Sequence, residues 1–233
     1  MNVFIAGTDT GIGKTHVSAT LLAALAARGC TAVGMKPVAS GCDETADGRR
    51  NADALALIAQ SAGAPAYATV NPYALRDPIA PHLAAVDEGV TLDLIPIAAA
   101  YGALCAQAAC VVVEGVGGWA VPFGPQTMQA DLVRALELPV LLVVGLRLGC
   151  LNHALLSARA IAADGCRLLG WIGNRIDPDM ARAEDNIATL RARIAAPCFG
   201  VLPYAPDADP RAQAASLARA AEFISADACP TAP

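Results

Sequence analysis

Along the chain, short apolar blocks rich in branched residues recur at 3–6, 31–35, 110–114, 140–144, 168–173 and 199–202. Most are separated by alanine-rich stretches of helical character, at about 14–28, 52–62, 92–108, 131–136, 153–164, 180–194 and 210–224. Strand alternating with helix predicts an α/β fold, a three-layer α/β/α sandwich with a mainly parallel central sheet and right-handed crossovers. Ligands bind such sheets beyond the carboxyl ends of the strands. Function is therefore expected in the loops at 7–15, 36–50, 114–128, 145–152, 174–179 and 203–210. No internal repeat is found.

The first block runs straight into Gly7-Thr-Asp-Thr-Gly-Ile-Gly-Lys-Thr15 and then into a helical stretch that Gly29 ends. This strand–turn–helix context is that of a phosphate cradle, and it makes the fold one of the P-loop NTPase type. Glycines let backbone N–H groups converge on an anion, Lys14 adds a point charge, and Thr15 can offer its hydroxyl to Mg²⁺. Five residues, Thr8 to Ile12, separate Gly7 from Gly13, where four is the common spacing, so the loop is a variant.

Composition narrows the class. The 233 residues suit one large domain, expected over 1–225, with 226–233 as a frayed tail. No apolar block resembles a membrane span, and no secretory signal follows Met1, so the expected compartment is the cytoplasm. A net charge of −5 without a basic cluster argues against nucleic acid or an anionic membrane as partner. The eight cysteines are scattered without metal-ligand spacing and read as reduced thiols in or near the core.

Lysine is scarce, which makes Lys36 conspicuous in Met35-Lys-Pro-Val-Ala-Ser-Gly41. It ends a strand on the rim that also carries the phosphate loop. The block Val111-Val-Val-Glu114 delivers a carboxylate to the same rim, followed by Gly115-Val-Gly-Gly-Trp119. Such an acid holds Mg²⁺ in phosphate-loop proteins. Asp53 is either a further ligand or a helix N-terminal charge. Asn174 ends a strand where an amide can read a base edge or merely form a turn.

In order, the phosphate loop, Lys36-Pro-Val-Ala-Ser-Gly41, Asn51-Ala-Asp-Ala-Leu-Ala-Leu57, Asn71-Pro-Tyr73, Glu114-Gly-Val-Gly-Gly-Trp119 and Leu148-Gly-Cys-Leu-Asn-His-Ala154 resemble the dethiobiotin synthetases, from residue 2 to about Tyr204. The resemblance implies an ATP- and Mg²⁺-dependent ligase that closes a cyclic urea on 7,8-diaminopelargonate with CO₂. A substrate amine captures CO₂ as a carbamate, whose oxygen attacks the γ-phosphate. The second amine then closes the ring on the resulting carbamic–phosphoric anhydride.

The resemblance also implies roles. Lys14 and Lys36 flank the transferring phosphoryl group and are catalytic; Thr15, Asp53 and Glu114 hold Mg²⁺. Nucleotide contacts come from Gly11, Ile12, Gly13, Lys14, Thr15 and His16, from Asp53, Glu114, Gly115, Val116 and Gly117, and from Asn174, Arg175, Pro203, Tyr204 and Ala205. Asn174 and the 203–205 loop meet adenine. Thr10 and Ser40 contact the substrate, which in a homodimer also meets Gly149, Cys150, Leu151 and Asn152 of the other subunit.

The chain departs from the family at Gly11, commonly an acid, and at Arg147, commonly lysine. Near Pro210 a family glutamate touches the ribose, and Asp207 and Asp209 are both candidates for that place. His82 has no assigned role. The competing reading is a dimeric phosphate-loop ATPase switch of the partitioning type, but residues 7–11 lack that class's early lysine and no amphipathic membrane tail follows. A cobyrinate-amidating enzyme would need a glutaminase domain for which the chain has no room.

Overall fold

In the computed structural model the first strand, β1 (Val3–Gly7), sends Phe4 and Ala6 into one apolar cluster and Val3 and Ile5 into another. A strand with both faces buried needs a helical layer on each side, and the rest of the chain supplies them. The structure describes residues 1–205 and 207–226. The expected tail lies outside the described residues, save Ala226.

After β1 come α1 (Lys14–Ala27), β2 (Ala32–Met35), β3 (Val38–Ala39), β4 (Asp43–Thr45), β5 (Gly48–Arg50), α2 (Ala52–Gln60), α3 (Tyr67–Val70), β6 (Tyr73–Ala74), α4 (Pro81–Asp87) and α5 (Leu94–Cys105). The second half runs β7 (Cys110–Glu114), α6 (Gln129–Ala135), β8 (Val140–Leu146), α7 (Cys150–Ala163), β9 (Leu168–Arg175), α8 (Ala183–Arg193), β10 (Cys198–Leu202), α9 (Pro210–Gln213), a 3₁₀ turn (Ala214–Leu217) and α10 (Ala218–Ala226).

Six strands form one sheet in the order β10-β9-β8-β1-β7-β2, every pair parallel. The first strand in sequence thus lies inside the sheet, Val3 opposite Val112 and Phe4 opposite Val140. Because β1 has β7 on one side and β8 on the other, its carboxyl end is a topological switch point, where such sheets open a crevice. Helix α1 fills one face with Val17, Leu21, Leu22 and Leu25, packed also against α2, α9 and α10. Ile97, Leu132, Ala154, Ile161 and Leu190 of α5 to α8 cover the other. Among the described residues no helix is long and apolar enough to cross a membrane, and none of the seven described cysteines forms a disulfide.

Several expected boundaries shift. Helix α7 starts at Cys150 rather than 153, since Gly149 in left-handed conformation supplies the cap that no Ser, Thr, Asp or Asn announces. The stretch read as one helix over 210–224 breaks into α9, the 3₁₀ turn and α10. The break falls where the chain crosses β10 so closely that a Cβ on Gly200 would stand 2.3 Å from the Ser216 carbonyl oxygen. Strands β8 and β9 run on to Leu146 and Arg175, and α8 starts only at Ala183. The hairpin β4–β5, the small β3–β6 sheet and α4 are further elements, too short or too polar to show in the hydrophobic pattern.

Candidate functional site

The site is assembled where three strands end. Ile5 of β1 stands opposite Glu114 of β7, and Met35 of β2 opposite Val113, so sheet register alone brings Lys36 beside Glu114 and both beneath the loop that follows β1. Lys36 Nζ donates to Glu114 Oε1 at 2.6 Å and to the Gly115 carbonyl at 3.2 Å, and lies 2.9 Å from Asp53 Oδ2. The side chains of Lys36 and Glu114 are 3% and 0% exposed, that of Asp53 41%. Thr15, in the first turn of α1, donates its hydroxyl to the same Glu114 oxygen at 2.8 Å.

Lys14, also buried, donates to the Asp9 carbonyl at 3.0 Å. Burial, and then the like charge of Lys36, bring its ammonium down to about 8 against the opposing pull of Glu114, Asp53 and Asp9. Burial acts the same way on Lys36, but the charges and hydrogen bonds of Glu114 and Asp53 outweigh it and hold that lysine above its ordinary value. For Asp53, burial would raise the carboxyl; the charge of Lys36 and hydrogen bonds from Lys36 and Thr15 keep it below the usual range. Asp53 therefore stands at the N-terminal turn of α2 and against the Lys36 ammonium at once, its α2 launched by Asn51, whose side chain accepts from Asp53 N and Ala54 N.

The cradle depends on Gly13. It caps α1 at φ 79°, where L side chains are strained, and a Cβ there would stand 2.3 Å from Asn174 Nδ2. That amide instead donates to the Ile12 carbonyl at 2.9 Å, fastening the loop to β9. The second glycine loop is held by buried Gln129, which accepts from Val116 N at 2.8 Å and donates to the Gly118 carbonyl at 2.9 Å.

Two cavities meet at this point. The larger, about 810 Å³, is lined by Thr10, Lys14, Thr15, Lys36, Ser40, Asp53, Val116 and Gly117, with Pro78 to Pro81 as its far wall. The smaller, about 330 Å³, is lined by His16, Asn174, Arg175, Ile176, Pro203, Tyr204 and Ala205. Gly11 and Gly13 border both. Glu114 and Gly115 lie beneath the larger cavity, reaching it through Thr15 and Lys36. Most of the residues expected at the site are thus brought together. Gly149, Cys150, Leu151 and Asn152 are not: they line neither cavity of their own chain, and the Cys150 side chain turns into the core.

Three further features carry no motif that sequence reading turns into a role. The Pro78–Pro81 wall closes the larger cavity, Gln129 supports the glycine loop, and Arg147 Nη2 reaches Asp9 Oδ2 at 2.6 Å. Asp209, one of the two ribose candidates, spends a carboxylate oxygen on Arg211 N as the cap of α9.

The donor set fits a hard divalent cation. Two carboxylates and a hydroxyl converge, and Glu114 Oε2 is buried without a hydrogen-bond partner among the described residues. An anionic oxygen so placed wants a cation, and Mg²⁺ characteristically takes one or two carboxylates and completes its shell with phosphate oxygens and water.

A family model described as an AAA domain matches residues 1–212. Among solved structures, the MinD cell division protein of Aquifex aeolicus superposes with a TM-score of 0.58 at 14% identity, covering 100% of this chain and 99% of that one. The septum site-determining protein MinD of Pyrococcus horikoshii, complexed with Mg-ADP, gives 0.55 at 14%, over 98% and 99%. These likenesses concern the fold. The ATP-dependent dethiobiotin synthetase of Xanthomonas oryzae pv. oryzae is 64% identical over 214 residues, 92% of this chain and 96% of that protein. That of Xylella fastidiosa is 61% identical over 203 residues, 87% and 90% of the two chains. At this identity over nearly the whole length of both chains, and with a phosphate loop, paired lysines and a buried acid gathered at one end of the sheet, the chain belongs to the dethiobiotin synthetase family.

Proposed function

We propose that this chain closes the ureido ring of dethiobiotin on 7,8-diaminopelargonate, with CO₂ as the carbon source and ATP, leaving as ADP and phosphate, as the driving force. One observation carries the reading: two cavities share the glycines of the phosphate loop, and both buried lysines open onto the larger. A nucleotide whose base sits against Asn174, Pro203 and Tyr204 lays its phosphates over Gly11 and Gly13 and turns its terminal phosphoryl group toward Lys14 and Lys36. The remaining room, toward Thr10, Ser40 and the Pro78–Pro81 wall, suits a second small substrate.

The carbamate oxygen attacks the γ-phosphorus as the bond to the ADP leaving oxygen breaks, and the second amine later attacks the carbonyl carbon, expels phosphate and gives up a proton. No protein group forms a covalent bond, so the chain contributes position and charge. Lys14 offers its ammonium to the phosphate oxygens. Lys36 has its donors on Glu114, Gly115 and Asp53, and Asp53, the more exposed of its two acids, is the partner that yields when an anion arrives. Thr15, Asp53 and Glu114 are the residues that would hold Mg²⁺, which would supply charge neutralisation during phosphoryl transfer. Gly149, Cys150, Leu151 and Asn152 of a second copy complete the substrate site. Their position at the head of α7, away from both cavities of their own chain, supports a homodimer, whose proposed place of work is the cytoplasm.

The test is incubation of the protein with MgATP, bicarbonate and 7,8-diaminopelargonate, with mass spectrometry for dethiobiotin and a phosphate assay lacking the diamine. Dethiobiotin with diamine-dependent phosphate release is expected. Phosphate release that ignores the diamine would instead support a switch ATPase and remove the reading.

A further inference from the structure

One phenol hydroxyl stands between two limbs of the site. Tyr67, in α3, is absent from the lining of both cavities. Its hydroxyl accepts from Asn51 N at 2.7 Å and donates to Asn71 Oδ1 at 2.8 Å. On one side, Asn51 caps α2 through Asp53 N at 3.0 Å and so fixes where Asp53 stands. On the other, Asn71 Nδ2 donates to the Lys36 carbonyl at 2.6 Å, while Lys36 N donates to the Val70 carbonyl at 2.9 Å. Asn51 and Asn71 are both buried, and the Arg50 guanidinium lies 4.3 Å from the centroid of the phenol ring.

The covalent route from Lys36 to Asp53 runs through β3 and the hairpin β4–β5, whose first strand is exposed throughout. That route is long and exposed, and although α2 also packs directly on β2, it is the hydrogen-bonded route through Asn71, Tyr67 and Asn51 that ties the two at the ends where Lys36 and Asp53 stand. We propose that Tyr67 is a positioning residue whose hydroxyl locks the backbone of Lys36 to the start of α2, and thereby sets the 2.9 Å separation of the Lys36 ammonium from the Asp53 carboxylate.

This rests on the assignment of Lys36 and Asp53 to phosphoryl transfer. Tyr67→Phe keeps the ring and its stack with Arg50 and removes both hydroxyl bonds. Its kcat should fall roughly 10- to 100-fold, the penalty for misplacing a reacting group by about 1 Å, with KM for ATP and for the diamine within about twofold. In an Asp53→Asn background the same change should add less than about twofold, because both substitutions act on one pair. An unchanged kcat, a loss carried by KM alone, or a full additional loss in the Asp53→Asn background overturns the proposal. Lys36→Met, assayed alongside, separates the two levels: a turning-over Lys36→Met protein overturns the site reading, whereas an inactive one beside a fully active Tyr67→Phe protein overturns the positioning role alone. If Tyr67→Phe does not fold, Asn71→Ser, which severs the Lys36 limb together with the bond from Asn71 Nδ2 to the Tyr73 carbonyl at 3.2 Å, carries the same expectations.

Discussion

Substituting Lys36→Met removes a charge while keeping the length of the stem, so it isolates what the ammonium does for stability. The ammonium lies 2.6 Å from Glu114 and 2.9 Å from Asp53, and only Glu114 is wholly buried. Without its partner Asp53 can rehydrate, whereas Glu114 is left in the interior without its nearest countercharge. Removing one member of a buried ion pair costs about 3–5 kcal/mol. Relief of lysine desolvation lowers the observed loss to about 2–3 kcal/mol. Urea titration reads this as a midpoint shift of roughly 1 M. Adding Glu114→Gln to Lys36→Met should recover most of the loss. An unchanged midpoint for Lys36→Met, or no recovery in the double variant, would refute the argument that Lys36 balances the Glu114 charge. It follows that turnover of Lys36 variants should be judged on their folded fraction.

Other outcomes follow from the same geometry. Lys14, at about 8, carries its charge at pH 7 and loses it as pH rises, so kcat/KM for ATP should decline above about pH 8; a profile flat to roughly pH 9.5 contradicts this. Gly13→Ala meets both a left-handed backbone and the Asn174 amide, and calorimetry should find ATP binding weakened at least about tenfold with the fold retained. Thr15→Val removes the hydroxyl that bonds Glu114, and the Mg²⁺ concentration giving half-maximal turnover should rise roughly tenfold; an unchanged metal requirement removes Thr15 from the ligand set. Leu148 is 93% exposed at the head of α7, and Leu148→Asp should shift sedimentation toward monomer with loss of turnover, whereas an intact dimer would move the interface elsewhere.

The strands of the sheet were legible because burial on both faces leaves an uninterrupted apolar run, as Val111-Val-Val before Glu114, or Val140-Leu-Leu-Val-Val144. The phosphate loop was legible because its glycines and lysine serve one local task. What escaped depends on partners distant in sequence. Nothing in Arg49-Arg-Asn51 shows that Asn51 will meet Tyr67, nor in Gln129 that it will span the ends of a glycine loop. Asp53 was open between two roles because only the fold brings Lys36 within 2.9 Å of it. The start of α7 was misjudged for a local reason: a glycine can cap a helix through its backbone alone and leaves no polar side chain to announce the event.

The strand that bears the phosphate loop is translated more than a hundred positions ahead of the two strands that bound it inside the sheet, Val3 pairing with Val112 and Phe4 with Val140. Until β8 has emerged, the glycine loop has no rigid base and its α1 no complete sheet to lie on. The nascent chain must therefore carry an open, apolar β1 for much of its synthesis, on the order of ten seconds or more at typical elongation rates. Nucleotide capture then becomes a late event in the life of the polypeptide, and chaperone occupancy of the amino-terminal third is where a ribosome-profiling experiment should look for the cost of placing the first strand in the middle.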